Sequence, residues 1–434
     1  MSAAVLTNEA FAAALGALSP PSKVALAVSG GRDSMALLHL CVAQAKHVGV
    51  TLVALSVDHG LRDDAAREAA FVADTAARLG VPHQILVWDG EAPASGVQAA
   101  ARNARYRLLI EAAQATGCEA LLTAHTADDQ AETLFMRLTR GAGVTGLAGM
   151  RPEAMIAAGA GDPLRLLRPM LGFSRAAVTS YLNKAGQDFI DDPSNNDPHF
   201  ERVRVRALLA ALAEQEITNG AALAASASKL MAADADLAEQ EEALFAACGG
   251  IFYSWGGVSL DRWPAPGASG AGGLARRLLF AVGAAAFVPN EADSLAAVER
   301  ACDDGAATLA GALIRRWRGR LWFVREPAAL TGRAGVAPSA RVAISGAILW
   351  DRRFVLSTPA AGLEIAALGI EVRAALGHRA GLFQGPPEGL PAIPVVYRDG
   401  VLIGAPTLPF MAPKAVSCQP LISERFARGC VRFS

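Results

Sequence analysis

Six residues, Ser29-Gly30-Gly31-Arg32-Asp33-Ser34, have the types and spacing to hold an anion. The two glycines let backbone N–H groups come close, and Ser29 and Ser34 add hydroxyl donors. Lys23 to Val28 before them is a short apolar run, a buried strand. Met35 to Cys41 after them opens an apolar helix. A helix N-terminus adds partial positive charge to such a turn. Asp33 does not fit a bare phosphate cradle, because its carboxylate repels phosphate unless a cation lies between them. The stretch suggests pyrophosphate with Mg²⁺, the metal held at Asp33. The plainer alternative is a tight turn in which Asp33 caps the helix.

The elements that must position this turn alternate. Strands at 23–28, 50–57, 83–88 and 119–124 are each followed by a helix, at about 35–48, 63–79, 95–116 and 128–140. The strands are apolar runs without period-two alternation. That pattern is a parallel sheet covered on both faces, a doubly wound α/β fold. Such sheets bind ligands at the carboxyl ends of their strands. Three polar clusters lie there: Ser29 to Ser34, Asp58-His59, and His125 with Asp128-Asp129. They should converge on one crevice. Neither a Walker-A loop nor a Gly-x-Gly-x-x-Gly follows the first strand, so this is a nucleotide site of another type.

The chain has 434 residues, enough for two or three domains. It is 52% hydrophobic with a formal net charge of −1, which argues against a uniformly basic coat for nucleic acid but allows local basic patches. The six cysteines are scattered with no Cys-x-x-Cys pair, so no zinc or redox signature is present. With no run long enough to span a bilayer and no basic leader, a cytoplasmic protein without a membrane partner is expected.

Further along, Gly141 to Gly149 is a Gly-rich stretch, either a lid or a surface connection. Phe200 to Arg206 carries three arginines at alternate positions, a basic edge or a solvated helix face. After about Asn219 a long Ala/Leu helix begins, followed by a Gly/Pro-rich stretch and two more helices. Ile314 to Val324 interleaves arginines with tryptophans, which suits phosphate contact with base stacking, or a hairpin with one wet face. Residues 328–340 look like a linker, and short β-like runs fill the remainder. The expected domains are a doubly wound α/β domain at 1–215, a helical domain at 216–327 and a small, mainly β domain at 340–434.

Several segments together resemble one family, the tRNA(Ile)-lysidine synthetases, which are PP-loop (N-type) ATP pyrophosphatases with an adenine nucleotide α-hydrolase-like domain. The segments are Ser29 to Ser34, Val57-Asp58-His59-Gly60-Leu61-Arg62, Ala101-Arg102-Asn103-Ala104-Arg105-Tyr106, and Thr123-Ala124-His125-Thr126-Ala127-Asp128-Asp129-Gln130-Ala131-Glu132-Thr133. Arg137 to Gly143, Arg168-Pro169-Met170-Leu171 and Ile190 to Asn195 complete the set. The likeness covers residues 20–210. Val203 departs from it, standing where the family usually has Asn.

The resemblance implies an ATP-dependent ligase. Its tRNA partner is tRNA(Ile) with a CAU anticodon, and L-lysine is joined to C2 of the wobble cytidine through an adenylated intermediate. Lysidine, AMP and diphosphate are the products. It implies ATP binding at Ser29, Gly30, Gly31, Arg32, Asp33, Ser34, Asp58 and His59, and catalytic roles for Asp33, Arg105, Asp129 and Glu132. The substrate lysine is a cation, and Asp129 and Glu132, three apart on one helix face, suit it. In the plainer view they are acids favoured in a first helical turn. A basic rim of Arg137, Arg140, Arg202, Arg204 and Arg206 would bind tRNA, the downstream domains would contact it further, one at the acceptor stem, and a homodimer is allowed. Another PP-loop enzyme, such as a tRNA thiolase, is the alternative, but Cys41 and Cys118 lie in apolar segments. A non-catalytic RNA-binding protein is a third reading.

Overall fold

The computed structural model describes residues 5–58, 65–88, 97–156, 164–191, 197–285, 288–331, 341–369 and 376–428. The chain divides into two compact units, the first running through Ala235 and the second beginning at Asp236.

In chain order the first unit contains α1 (Asn8–Gly16), β1 (Lys23–Ala27), α2 (Arg32–Val48), β2 (Thr51–Asp58), α3 (Ala65–Arg78), β3 (His83–Val87) and α4 (Val97–Ala115). Next come β4 (Ala120–Leu122), α5 (Ala127–Leu138), α6 (Val144–Leu147), β5 (Glu153–Ile156), β6 (Leu164–Leu167), α7 (Arg175–Ala185), α8 (Glu201–Glu214) and α9 (Gly220–Ala247), whose last turns belong to the second unit. The sheet order is β3-β2-β1-β4-β6-β5. All neighbours are parallel except the β5–β6 pair, which is a hairpin the apolar pattern did not announce.

Strand residues alternate between two cores. Val24 and Leu26 of β1 and Leu52 and Ala54 of β2 pack with Met35, Leu38, Val178 and Leu182 on one face. Ala25, Val53 and Leu55 pack with Tyr106, Leu109 and Ile110 of α4 on the other. Both faces are apolar, so the strands read as continuous apolar runs. The chain leaves β1 toward β2 and β3, then returns past β1 to β4. The strand order therefore reverses between β1 and β4, and the crevice outside their carboxyl ends is the expected ligand position.

In the second unit, a segment expected to be mostly helical also holds a five-stranded sheet. Ile251–Phe252, Val258–Leu260, Ala306–Leu309, Ala312–Trp317 and Arg320–Arg325 form it, with all neighbours antiparallel. Strands of two to six residues are too short to print a clear period. A second antiparallel sheet joins Val342–Trp350, Phe354–Ala367, Pro394–Arg398, Val401–Gly404 and Ser417–Pro420, as the β-like runs suggested. Most of the expected linker, 332–340, lies outside the described residues. Among the described residues no helix is long and apolar enough to cross a membrane.

Candidate active site

The turn after β1 is tightly knit. Ser34 Oγ accepts from the Ser29 N–H (3.1 Å) and donates to the Gly31 carbonyl (2.9 Å). Gly30 sits at φ +81°, and a Cβ there would meet Ile190 Cδ1 at 3.1 Å. Only glycine takes that backbone and that contact at low cost. The Ile190 N–H donates to the Gly30 carbonyl (3.0 Å), so the segment after α7 is stitched to the turn. Gly31 is the N-cap of α2 and leaves its helix end open. Asp33, in the first turn, accepts from Arg32 Nε at 3.0 Å. Burial pushes the Asp33 carboxyl above its ordinary value, against the pull of Arg32 and Arg175.

The turn after β4 supplies the second cluster. Asp129 Oδ2 accepts from the Thr126 N–H (2.8 Å) and the Thr126 hydroxyl (3.0 Å). One oxygen of Asp129 thus closes a capping box, so the plainer view of this acid is half right. Its other oxygen faces Arg175 Nη2 at 3.5 Å. Glu132, one turn further, is almost fully buried. Its Oε1 accepts from Arg206 Nε at 2.9 Å and lies 3.4 Å from Arg175 Nη2. Its Oε2 is buried with no partner. That orphaned oxygen is not what a merely favourable first-turn acid needs.

Arg175 ties the clusters together, and sequence reasoning missed it. It is the first residue of α7, and its Nε also lies 3.8 Å from Asp33 Oδ2. Asp128 accepts its backbone N–H at 2.6 Å. Burial works against the Arg175 charge, but Asp129, Glu132, Asp33 and Asp128 outweigh it and hold its pKa above the ordinary value. A cation in the first turn of a helix opposes the helix dipole. That mismatch, at Ser174-Arg175, was the available signal.

His125 completes this wall, its Nδ1 2.9 Å from Thr123 Oγ1. Burial pushes it down to about 3, against the pull of Asp129. For Asp129, burial is outweighed by His125, the Thr126 N–H bond, Arg175 and Arg202, and its pKa is lowered. Asp129 is ionised at neutral pH and His125 is uncharged.

The other expected residues are placed as follows. Asp58 ends β2, and its carbonyl accepts from the Trp88 N–H. His59 lies outside the described residues. Arg105 sits on α4 with its guanidinium 5.8 Å from the Tyr106 ring centroid and its Nε buried and unpartnered. The arginines of α8 do not form one edge. On a helix, alternate positions diverge, and residues four apart share a face. Arg202 donates to Thr133 Oγ1 (3.3 Å) and Arg206 to Glu132, both on α5. Arg204 instead ties down the Pro198 and His199 carbonyls. Arg140 pairs with Glu201 at 2.6 Å in an exposed bridge.

Arg137, expected on a tRNA rim, is a loop tie: Nη1 donates to the carbonyls of Gly146 (2.7 Å) and Gly149 (2.9 Å). Gln130 clamps both polar groups of the Met150 backbone. The Gly-rich stretch is therefore a folded turn around α6. Cys41 and Cys118 are buried, and burial pushes the Cys41 thiol up, so neither is poised as a nucleophile.

A divalent cation fits this chemistry. Asp33 is a partly buried carboxylate beside hydroxyls, and hard oxygen donors suit Mg²⁺. Among the described residues no cluster of three His, Cys, Asp or Glu is preassembled for a metal. Asp33 would share such an ion with the phosphates of a nucleotide.

The family model for the PP-loop domain matches residues 5–212. The tRNA(Ile)-lysidine synthase of Ruegeria pomeroyi is 37% identical over 359 residues, covering 81% of this chain and 80% of that protein. The chain belongs to the tRNA(Ile)-lysidine synthase family. The Zymomonas mobilis synthase is 50% identical over 48% of this chain, and the Bradyrhizobium sp. (strain BTAi1) synthase is 47% identical over 51%. Those two matches span 61% and 63% of the relatives' own lengths. Among solved structures, the U34-tRNA thiolase NcsA of Methanococcus maripaludis aligns with 52% of this chain and 78% of its own at 17% identity, with a TM-score of 0.43, too loose to bear on function.

Proposed function

We propose that this member of the family joins L-lysine to C2 of the wobble cytidine of tRNA(Ile) with a CAU anticodon. ATP first adenylates the C2 oxygen and releases diphosphate. The lysine ε-amine then attacks C2, the bond from C2 to the AMP-bearing oxygen breaks, and AMP leaves. The observation that carries this reading is the acid trio around Arg175. Asp129 and Glu132 lie 3.5 and 3.4 Å from its guanidinium, and Asp33 of the nucleotide turn lies 3.8 Å away. A site that gathers one buried and two half-buried acids around one cation, beside an anion cradle, suits a cationic substrate meeting an activated nucleotide.

In this reading Ser29 to Ser34 receive the phosphates, and Asp33 would hold Mg²⁺, which when bound would supply positive charge toward the diphosphate. Asp129 and the open oxygen of Glu132 draw in the lysine amine. Arg105 serves a phosphate or carboxylate contact, and Asp58 and His59 line the adenosine side. The exposed Arg140 and Arg204 would meet the tRNA backbone, with salt-dependent affinity. Purified protein with ATP, Mg²⁺, radiolabelled lysine and a CAU transcript of tRNA(Ile) tests the reading. Lysine label should enter the tRNA in step with AMP release. ATP turnover that instead requires a sulfur donor or ammonia overturns it.

A further inference from the structure

The arginine–tryptophan hairpin of the second unit takes no part in the site above. Its two strands, Ala312–Trp317 and Arg320–Arg325, are joined by Arg318-Gly319. Both turn residues have positive φ, 47° at Arg318 and 78° at Gly319. Two-residue turns of this hand favour Asn, Asp or Gly at the first position. An arginine there costs backbone energy, so its side chain is the reason to look further.

Trp322 is buried and stacks with Tyr253 and Trp255, so it is no platform for a base. Trp317 is different. It lines a cavity of about 150 Å³ together with Arg318, Phe383, Gly385 and Leu390. The Arg318 guanidinium lies 4.4 Å from the Trp317 ring centroid. Gly385 packs its backbone closely against the buried Trp255: a Cβ there would meet Trp255 Cζ2 at 2.5 Å. A cavity of this size admits a single aromatic ring. Two arginines flank it in the chain, Arg318 of the lining and Arg379 beside Ala380 of the lining, both exposed. Glu388, beside the cavity, is neutralised by Arg315.

We infer that this cavity takes the base of one unpaired nucleotide of the RNA substrate. The ring enters beside Phe383 and the stacked Trp317–Arg318 pair, and the adjoining phosphates lie against Arg318 and Arg379. Aromatic and guanidinium planes are how proteins hold splayed-out bases, and neighbouring arginines hold the backbone. The inference rests on RNA being the substrate, as proposed above. It places an anchoring contact in the second unit, on residues other than the reacting ones.

The test uses the full chain and two variants. Arg318→Asn suits the turn better than arginine, so it should fold at least as stably as the parent. Trp317→Leu removes the ring. Each should weaken binding of the CAU transcript of tRNA(Ile) about fivefold or more, the scale of one lost stacked base. Arg318→Asn should also lower the slope of log Kd against log salt by about one ion. Ultraviolet cross-linking to the transcript should yield an adduct on the peptide holding Trp317. Unchanged affinity in Arg318→Asn, or cross-links that spare this peptide, overturns the inference, as does a protein rather than RNA bound there. If Arg318→Asn weakens tRNA binding while no lysine is incorporated, the cavity stands and the proposed reaction falls. If lysine is incorporated and affinity is unchanged, the reverse holds.

Discussion

Glu132 Oε1 lies 2.9 Å from Arg206 Nε and 3.4 Å from Arg175 Nη2, while Glu132 Oε2, on the same buried carboxylate, has no partner. A buried acid with one satisfied and one open oxygen still has capacity for a donor. Glu132→Gln keeps the shape and removes the charge. The lysine concentration for half-maximal rate should rise by roughly 10- to 100-fold, the scale of one charge-assisted hydrogen bond. The ATP requirement should stay within about twofold. Steady-state kinetics with each substrate varied in turn decides it; equal rises for both would contradict the assignment. Asp129→Asn is a less clean probe, because its uncharged amide oxygen also weakens the Thr126 capping box, at a cost of up to about 1 kcal/mol.

Arg175 balances three acids, so its removal has a signed consequence. Burial already raises the Asp33 carboxyl, and Arg175 pulls it down. Arg175→Met takes that pull away, and the Asp33 pKa rises further. The ionised form is the one that can hold a cation. The acid limb of the pH–rate profile, at saturating ATP and lysine, should therefore move to higher pH. A limb that stays put or moves to lower pH contradicts the coupling.

Two neighbouring glycines should behave differently. Gly30→Ala places a side chain at φ +81° against Ile190, which should cost about 1–2 kcal/mol and lower the Tm by several degrees. At Gly31 a Cβ would have only ordinary contacts, the nearest Ser29 Oγ at 3.6 Å. Gly31→Ala should leave the Tm within about a degree yet weaken ATP, because the methyl crowds the anion cradle. Thermal melts and ATP titrations on both variants separate fold from binding. A stable Gly30→Ala, or a Gly31→Ala with unaltered ATP affinity, counts against the turn as described.

His125 predicts an acid-sensitive stability. Its pKa falls from the ordinary 6.5 to about 3 on folding, chiefly through burial. Between those values the unfolded chain binds the extra proton, so stability rises with pH. The contribution is present above about 6.5 and is lost as pH falls toward 3, by at most about 1.4 kcal/mol per pH unit. Denaturant melts from pH 7 to pH 4 should lose stability more slowly in His125→Gln than in the parent. Parallel curves would show that His125 is not held neutral.

Much of this was legible in the chain. Apolar runs on both faces of β1 and β2 gave the doubly wound sheet, and the strand ends then located Ser29 to Ser34 and His125 to Glu132. What stayed hidden has physical causes. Arg175 opens a helix, where a cation is out of place, and only its three long-range partners reveal why it is there. Alternate arginines at 202, 204 and 206 look like one edge in a linear chain, but a helical period turns two of them toward α5 and one away. Arg137 and Gln130 act on backbone groups of a Gly-rich turn, and such groups carry no sequence label. The β5–β6 hairpin joins a sheet that is parallel elsewhere, through strands of four residues.

The most direct measurement is the mass of the wobble nucleoside. The protein is incubated with ATP, Mg²⁺, lysine and the CAU transcript of tRNA(Ile), and the RNA is digested to nucleosides. The cytidine of the CAU anticodon should gain the mass of lysine less one water, and should not do so with Glu132→Gln at low lysine. An unmodified cytidine, or one that carries sulfur, would contradict the central claim.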